Sequence, residues 1–388
     1  MDVRCLRLCV VLPPIEPYSS SGGAIATVAR YVAREWERAG HSVAVLAPRG
    51  EAPPYSAGTS IALDVHRGLR VPGRLTSRIA RNATWDWPGY RRYLKAVTAA
   101  IRALEAPPHI LVAHNDLQLL PELASLVPGA ETVLWLHNTV TTRRPDPRSV
   151  LECVERIVAV SDYVARWTER KYGLPEGRVR TAYNGVDLER FHPDERCHQA
   201  GSALRVVCHG RIDPNKGFHL VVEAVGRLRA RDIAIDVTLA GKLEAFGITR
   251  AAAATYRDDL LASLAKIGGT YRGRLDPSEV PDLLRDADVA CTPSLAPDPF
   301  PLSALEAMAS GCALVASDRG GLTELCGDAG LLFDPDDSGT LDAALVALAT
   351  DPVFLATRQR AARSRAEQFS WSTPASIALG RDSELPPS

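Results

Sequence analysis

A chain of 388 residues is longer than one hydrophobic core ordinarily organises, and usual domain sizes point to two or three domains. The composition is globular, 46% hydrophobic and 23% charged, and a net charge of −1 gives no bulk attraction for nucleic acid or an anionic membrane. Of the 45 basic residues only 5 are Lys, which reads as the mark of a GC-rich genome and not of polyanion binding. In chain order, Leu6–Leu12 is an apolar run bounded by Pro13-Pro14 and reads as a buried parallel strand. It is too short for a signal sequence or a membrane span, and no later run reaches about 18 apolar residues, so the expectation is a soluble, cytoplasmic protein without a stable membrane anchor.

A loop carrying Gly22-Gly23 follows, then a helical period over Ala24–Ala39 ended by Gly40, then a strand over Ser42–Leu46. This is a βαβ unit with its glycine loop at the carboxyl end of the first strand. Ile110–Ala113, Thr132–Leu136 and Arg156–Val160 read as further strands, with helices over Gln118–Leu126 and Asp162–Tyr172. Turn chemistry at Asn184-Gly185-Val186-Asp187, then a polar stretch to Gly201-Ser202, marks a boundary. Beyond it Leu204–Gly210, Ile235–Ala240, Asp288–Thr292 and Ala313–Ala316 read as strands, Gly217–Ala230 as a helix, and a helix falls within Leu243–Tyr256. Alternating strands and helices imply two doubly wound α/β halves with a ligand at the carboxyl ends of their strands, in the cleft between them. The eight cysteines form no CxxC pair, so they are expected as reduced, buried thiols.

Four constellations carry chemistry. Gly210-Arg211-Ile212-Asp213-Pro214-Asn215-Lys216-Gly217 puts two cations at a strand–loop–helix junction, where Arg can fork two phosphate oxygens and Lys adds a point charge. Read alone, the pair also fits solvated surface charge. Asp298 and Glu306 lie eight residues apart around a helix expected to begin near Leu302, whose first amides at Leu302 and Ser303 can receive an anion while the acids accept hydroxyls. An N-cap acid followed by a solvated helix Glu explains the same spacing. Gly22-Gly23 permits close backbone approach, and His137 ends an apolar strand, though a lone His is often structural. Asp286-Ala287-Asp288 reads as strand entry and not as a metal motif, and no metal site is expected.

Together these residues resemble the retaining glycosyltransferases of family 4. The ordered set runs through Gly22-Gly23, Ser161-Asp162-Tyr163, Asn184-Gly185-Val186-Asp187, Gly210-Arg211, Lys216-Gly217 and the segment from Asp298 to Glu324. The resemblance implies the GT-B fold: two facing Rossmann-like α/β domains with the active site in the interdomain cleft. Residues 1–190 would form an acceptor-side domain, rejoined by 366–388, and residues 200–365 a nucleotide-sugar-binding domain. It also implies roles. Arg211 and Lys216 would hold the donor diphosphate as it leaves, Glu306 the ribose, and Asp298 with the backbone of Phe300, Leu302 and Ser303 the donor sugar. His137 would sit near the sugar's C6 hydroxyl, and Gly23 would let its loop close on phosphate. The family's paired acidic motif usually opens with Glu where this chain has Asp298, and usually has Gly where this chain has Pro301, which lacks an amide donor.

The implied reaction is metal-independent transfer with retention, driven by charge stabilisation of the leaving diphosphate, with no cofactor beyond a UDP-linked sugar donor. His114, Asn115, Asp116, Asn138 and the stretch Thr139–Arg144 are expected to line the side of a small hydroxyl acceptor. The opening Gly22-Gly23-Ala24-Ile25 and Leu136-His137-Asn138 are similar to a branch holding spore-coat and aminoglycoside-antibiotic enzymes. That similarity implies a 2-deoxystreptamine or related aminocyclitol acceptor in antibiotic biosynthesis. Alternatives are a cell-surface or spore-coat polysaccharide transferase and a UDP-sugar 2-epimerase of similar fold.

Overall fold

Runs that are apolar on every residue have to be covered on both faces, and they become the inner strands of two parallel sheets. A computed structural model describes residues 5–63, 65, 88–141, 146–194, 202–242, 249–381 and 385–386. The chain divides into two units, one formed by residues up to Asn184 together with Trp371–Leu385, the other by Gly185–Ser370 together with the chain end from Pro386.

In the first unit seven strands are parallel throughout. They are β1 (Arg7–Val11), β2 (Ser42–Pro48), β3 (Thr59–Leu63), β4 (Ile110–His114), β5 (Glu131–Leu136), β6 (Arg156–Ala159) and β7 (Val179–Thr181), in the order β3-β2-β1-β4-β5-β6-β7. Helix α1 (Ala24–Arg38) buries Val28, Tyr31, Val32 and Trp36 and exposes its Arg- and Glu-bearing face, as its 3.6-residue period demands. Helices α2 (Pro88–Arg102), α3 (Leu120–Leu126), α4 (Pro147–Cys153) and α5 (Asp162–Tyr172) follow in the same unit. Ser161 caps α5 by accepting from the Val164 amide, and Gly173 ends it in the left-handed region.

The second unit carries β8 (Leu204–His209), β9 (Ile235–Ala240), β10 (Thr270–Tyr271), β11 (Val289–Thr292), β12 (Ala313–Ser317) and β13 (Leu331–Phe333) in the order β10-β9-β8-β11-β12-β13. Its helices are α6 (Phe218–Arg229), α7 (Arg250–Lys266), α8 (Val280–Arg285), α9 (Leu302–Ala309), α10 (Leu322–Cys326), α11 (Ser338–Thr350) and α12 (Pro352–Ala366). Leu204, Val206, Phe218, Val221, Val225, Leu239 and Leu345 belong to one buried cluster between the sheet and its helices. At the carboxyl ends of β8 and β9 the backbones nearly touch: a Cβ at Gly241 would lie 1.7 Å from the Gly210 carbonyl oxygen, so only glycine fits there.

After Ser370 the chain re-enters the first unit as the seven-residue α13 (Ser372–Ala378). Trp371 stacks on Tyr31 at 4.9 Å, the Trp36 indole N–H donates to the Ala375 carbonyl at 2.9 Å, and the Arg156 guanidinium donates to the Ala378 carbonyl at 3.0 Å.

Several expectations shift. The helix expected to open at Gly217 starts at Phe218, after a separate 3-10 turn over Pro214–Lys216, because Pro214 and the Asp213 cap favour a tight turn that Gly217 ends in the left-handed region. The helix expected within Leu243–Tyr256 runs over Arg250–Lys266, while residues 243–248 lie outside the described ones. Cys9, Cys208, Cys291, Cys312 and Cys326 are buried, but Cys5 and Cys153 are exposed. Asp288 sits at the entry of β11, where its carboxylate accepts from the Arg205 amide and guanidinium at 2.6–3.0 Å.

Candidate active site

In the second unit the carboxyl ends of β8 and β11 and the start of α9 border a small pocket lined by His209, Gly210, Arg211, Lys216, Thr292, Ser294 and Ser303 among others. Three of the expected donor residues, Arg211, Lys216 and Ser303, line it, and a fourth, Asp298, is tied to it through Lys216. Arg211 is held from behind: its Nε donates to the buried Asp213 carboxylate at 2.8 Å, and the other Asp213 oxygen caps the 3-10 turn through the Asn215 amide at 2.9 Å. One acid therefore fixes both the cation and the loop that carries Lys216. Lys216 pairs directly with Asp298, whose same oxygen accepts from the Ser294 hydroxyl at 3.3 Å. Asp298 is itself locked by its backbone, since its carbonyl accepts from the Gly321 amide at 2.7 Å and a Cβ at Gly320 would lie 2.5 Å from it.

Pro301 forms the N-cap of α9, where no side chain caps the helix, so the amides of Leu302 and Ser303 carry the positive end of its dipole next to the two cations. Phe300 is buried with its ring 5.5 Å from Phe369, which leaves only its backbone for a ligand. Glu306 lies one turn further on; burial pushes its carboxyl up to about 7, against the pull of the Arg190 charge.

In the first unit the anticipated anion seat at α1 is filled from within. The Glu16 carboxylate accepts from the Gly23 amide at 2.6 Å and the Ala26 amide at 3.1 Å, an acid stabilising a helix start that no capping side chain serves. The loop after β5 brings His137 against His114, with Nε2 of His137 and Nδ1 of His114 2.7 Å apart and the rings stacked at 4.9 Å. Burial pulls His114 down to about 3 and His137 well below its usual range, so both are neutral at pH 7.

The acceptor-side expectation needs correction here. His114 and Asp116 are each 1% exposed and Asn115 is buried. Asn115 accepts from the His137 amide at 2.7 Å, and Asp116 accepts from the Tyr90 hydroxyl at 3.0 Å and from the Gln118 and Leu119 amides just ahead of α3. These three residues brace the loop bearing His137 and present no open surface. Asn138 is exposed, and within Thr139–Arg144 the residues 142–144 lie outside the described ones. Residue-by-residue reading missed Asp213 and Glu16. Asp213 was detectable as an acid ahead of Pro214; Glu16 became visible only once the chain had folded back on α1.

Two Rossmann-like parallel sheets, one with a cationic pocket at its strands' carboxyl ends, define the GT-B class of fold. One family model, described as Glycosyltransferase Family 4, matches residues 22–190, and another, described as Glycosyl transferases group 1, matches residues 203–351. The chain is 27% identical over 375 residues to a phosphatidyl-myo-inositol mannosyltransferase of Mycolicibacterium smegmatis, covering 92% of this chain and 89% of that protein. It is 32% identical over 269 residues to a D-inositol 3-phosphate glycosyltransferase of Rhodococcus opacus, covering 63% of this chain and 59% of that protein. Coverage is 56% for a further curated relative, so the chain spans little more than half the length of several relatives it matches. Among solved structures, Anabaena Alr3699/HepE in complex with UDP and glucose superposes with a TM-score of 0.68 at 18% identity, covering 96% of this chain and 98% of that one. The chain belongs to the group 1, family 4 glycosyltransferases and is a glycosyltransferase.

Proposed function

We propose that this glycosyltransferase moves a hexosyl or N-acetylhexosaminyl group, with retention, from a UDP-sugar to a hydroxyl of a small cyclitol-type acceptor. The carrying observation is the pocket of the second unit. There Arg211, oriented by Asp213, and Lys216, paired with Asp298, converge beside the uncapped start of α9. Charge develops on the diphosphate as the glycosidic bond breaks, and preorganised cations and helix amides stabilise it without solvent reorganisation. Those groups carry the neutralisation, so turnover is expected to persist in excess EDTA.

Lys216 joins two tasks. Its partner Asp298 is the acid assigned to the sugar hydroxyls, so a bound donor shares that cation between its diphosphate and the acid beneath its sugar. Glu306 is assigned to the ribose, and His137 to the sugar's C6 hydroxyl. Two relatives, the phosphatidyl-myo-inositol mannosyltransferase and the D-inositol 3-phosphate glycosyltransferase, are named for an inositol, which supports a polyhydroxylated six-membered ring as acceptor. The particular acceptor proposed is an aminocyclitol of the 2-deoxystreptamine type. Family membership sets aside the epimerase reading.

The test is a panel of UDP-, GDP- and dTDP-sugars against inositols, aminocyclitols and oligosaccharides, read by mass spectrometry, with the product anomer followed by NMR. Transfer from a UDP-sugar to a cyclitol with the donor's anomeric configuration is expected. An inverted product, or transfer to oligosaccharides alone, overturns the corresponding part. Asp213→Ala is expected to lower kcat/KM by at least tenfold, because it frees Arg211 and uncaps the turn of Lys216.

A further inference from the structure

His209 closes β8 immediately before Gly210-Arg211, and none of the roles above uses it. His209 lines the same pocket as Arg211, Lys216 and Ser303. Six other histidines are described, His41, His109, His114, His137, His192 and His219, and the ring of each makes a hydrogen bond. The ring of His209 makes none among the described residues, and its Nδ1 is shielded from solvent.

A shielded polar atom without a partner calls for an explanation. Here the tautomer supplies part of it. A proton on Nδ1 would bury an orphaned N–H, the costlier defect, whereas a proton on Nε2 leaves only a lone pair unmet. The ring is thereby set as a donor from Nε2, the nitrogen that is not shielded. Burial also pulls its pKa down to about 4, so it stays neutral beside the two cations. A neutral N–H donor beside Arg211 and Lys216 complements an anionic oxygen and adds direction where the cations add charge.

We propose that His209 is a third ligand of the donor diphosphate, donating from Nε2 to a phosphate oxygen and helping to fix where the diphosphate lies relative to Arg211 and Lys216. This rests on the UDP-sugar reading of the pocket. It is tested by titrating UDP calorimetrically into the wild type, His209→Phe, which fills the space without a donor, and His209→Gln, which restores a neutral N–H. His209→Leu replaces His209→Phe if the aromatic variant fails to fold, as judged by its melting curve.

The apolar variant is expected to bind UDP at least tenfold more weakly, and His209→Gln within about threefold of wild type. The wild-type to apolar-variant ratio should hold from pH 5.5 to 8.5, since the ring stays neutral throughout. Equal UDP affinity in all three proteins, or equal loss in the apolar and Gln variants, overturns the role of His209 and leaves the donor pocket standing. A ratio that disappears above pH 6.5 also overturns it, because a charged imidazolium would then be responsible. Failure of the wild type to bind UDP, GDP or dTDP overturns the pocket reading itself.

Discussion

Glu306 shows how one side chain carries both binding and instability. Its carboxyl has a folded pKa near 7 against 4.5 for the free group, because burial disfavours the charged form. The folded protein therefore binds more protons than the unfolded chain between these values, and the contribution of Glu306 to stability falls as pH rises from about 4.5 through 7. Glu306→Gln is expected to match wild type near pH 4.5 and to exceed it by about 3 kcal/mol at pH 8, measured by urea unfolding across pH. The same variant should bind donor more weakly, since an amide is a poorer acceptor for ribose hydroxyls than a carboxylate. Equal stability of the two proteins at pH 8 would show that the carboxyl is solvated in the free enzyme.

At the scale of elements, the inner strands were legible and the outer ones were not. β1, β4, β5, β8, β11 and β12 are buried along almost their whole length and read as unbroken apolar runs. The four strands that sequence reading passed over, β3, β7, β10 and β13, are the four edges of the two sheets. Each edge strand is short or half-exposed, as in Thr270-Tyr271, and carries no continuous pattern. The site was legible in a similar way. Arg211, Lys216, Asp298 and Glu306 stand on local strand-to-helix signals, and Asp213, which orients Arg211, is only two residues away from it, whereas the pairing of Lys216 with Asp298 across 82 residues arises from tertiary folding. His114, Asn115 and Asp116 were misread because polar residues at a strand's carboxyl end look alike whether they face a ligand or brace a loop.

Helix α13 docks on α1 through an aromatic pair. Trp371 is 6% exposed and lies flat on Tyr31 at 5° between ring planes. Trp371→Ala is expected to cost about 3–5 kcal/mol of first-unit stability, read as a lowered melting transition, while hydrogen exchange in β8 and β11 stays unchanged. Equal loss of protection in both units would mean that they unfold as one.

For the molecule as a whole, the second sheet and its helices come from one continuous stretch, Gly185–Ser370, whereas the first unit is completed by a segment that follows that stretch, Trp371–Leu385. A chain stopped after Ser370 should retain exchange protection in the second sheet and lose it along Ala24–Arg38, the helix that α13 covers. Loss of protection in the second sheet as well would show that its stability depends on the first.

The same return of the chain sets an order of assembly during synthesis. Residues 371–378 leave the ribosome only after all of Gly185–Ser370, which at ordinary elongation rates is roughly 10–40 s after the first sheet has emerged. Through that interval the aromatic face of α1, Tyr31 and Trp36, lacks its cover. The second unit can finish folding while the first waits, so the nascent chain carries a timed apolar patch, and slowed translation near residue 370 lengthens its exposure to chaperones and to other nascent chains.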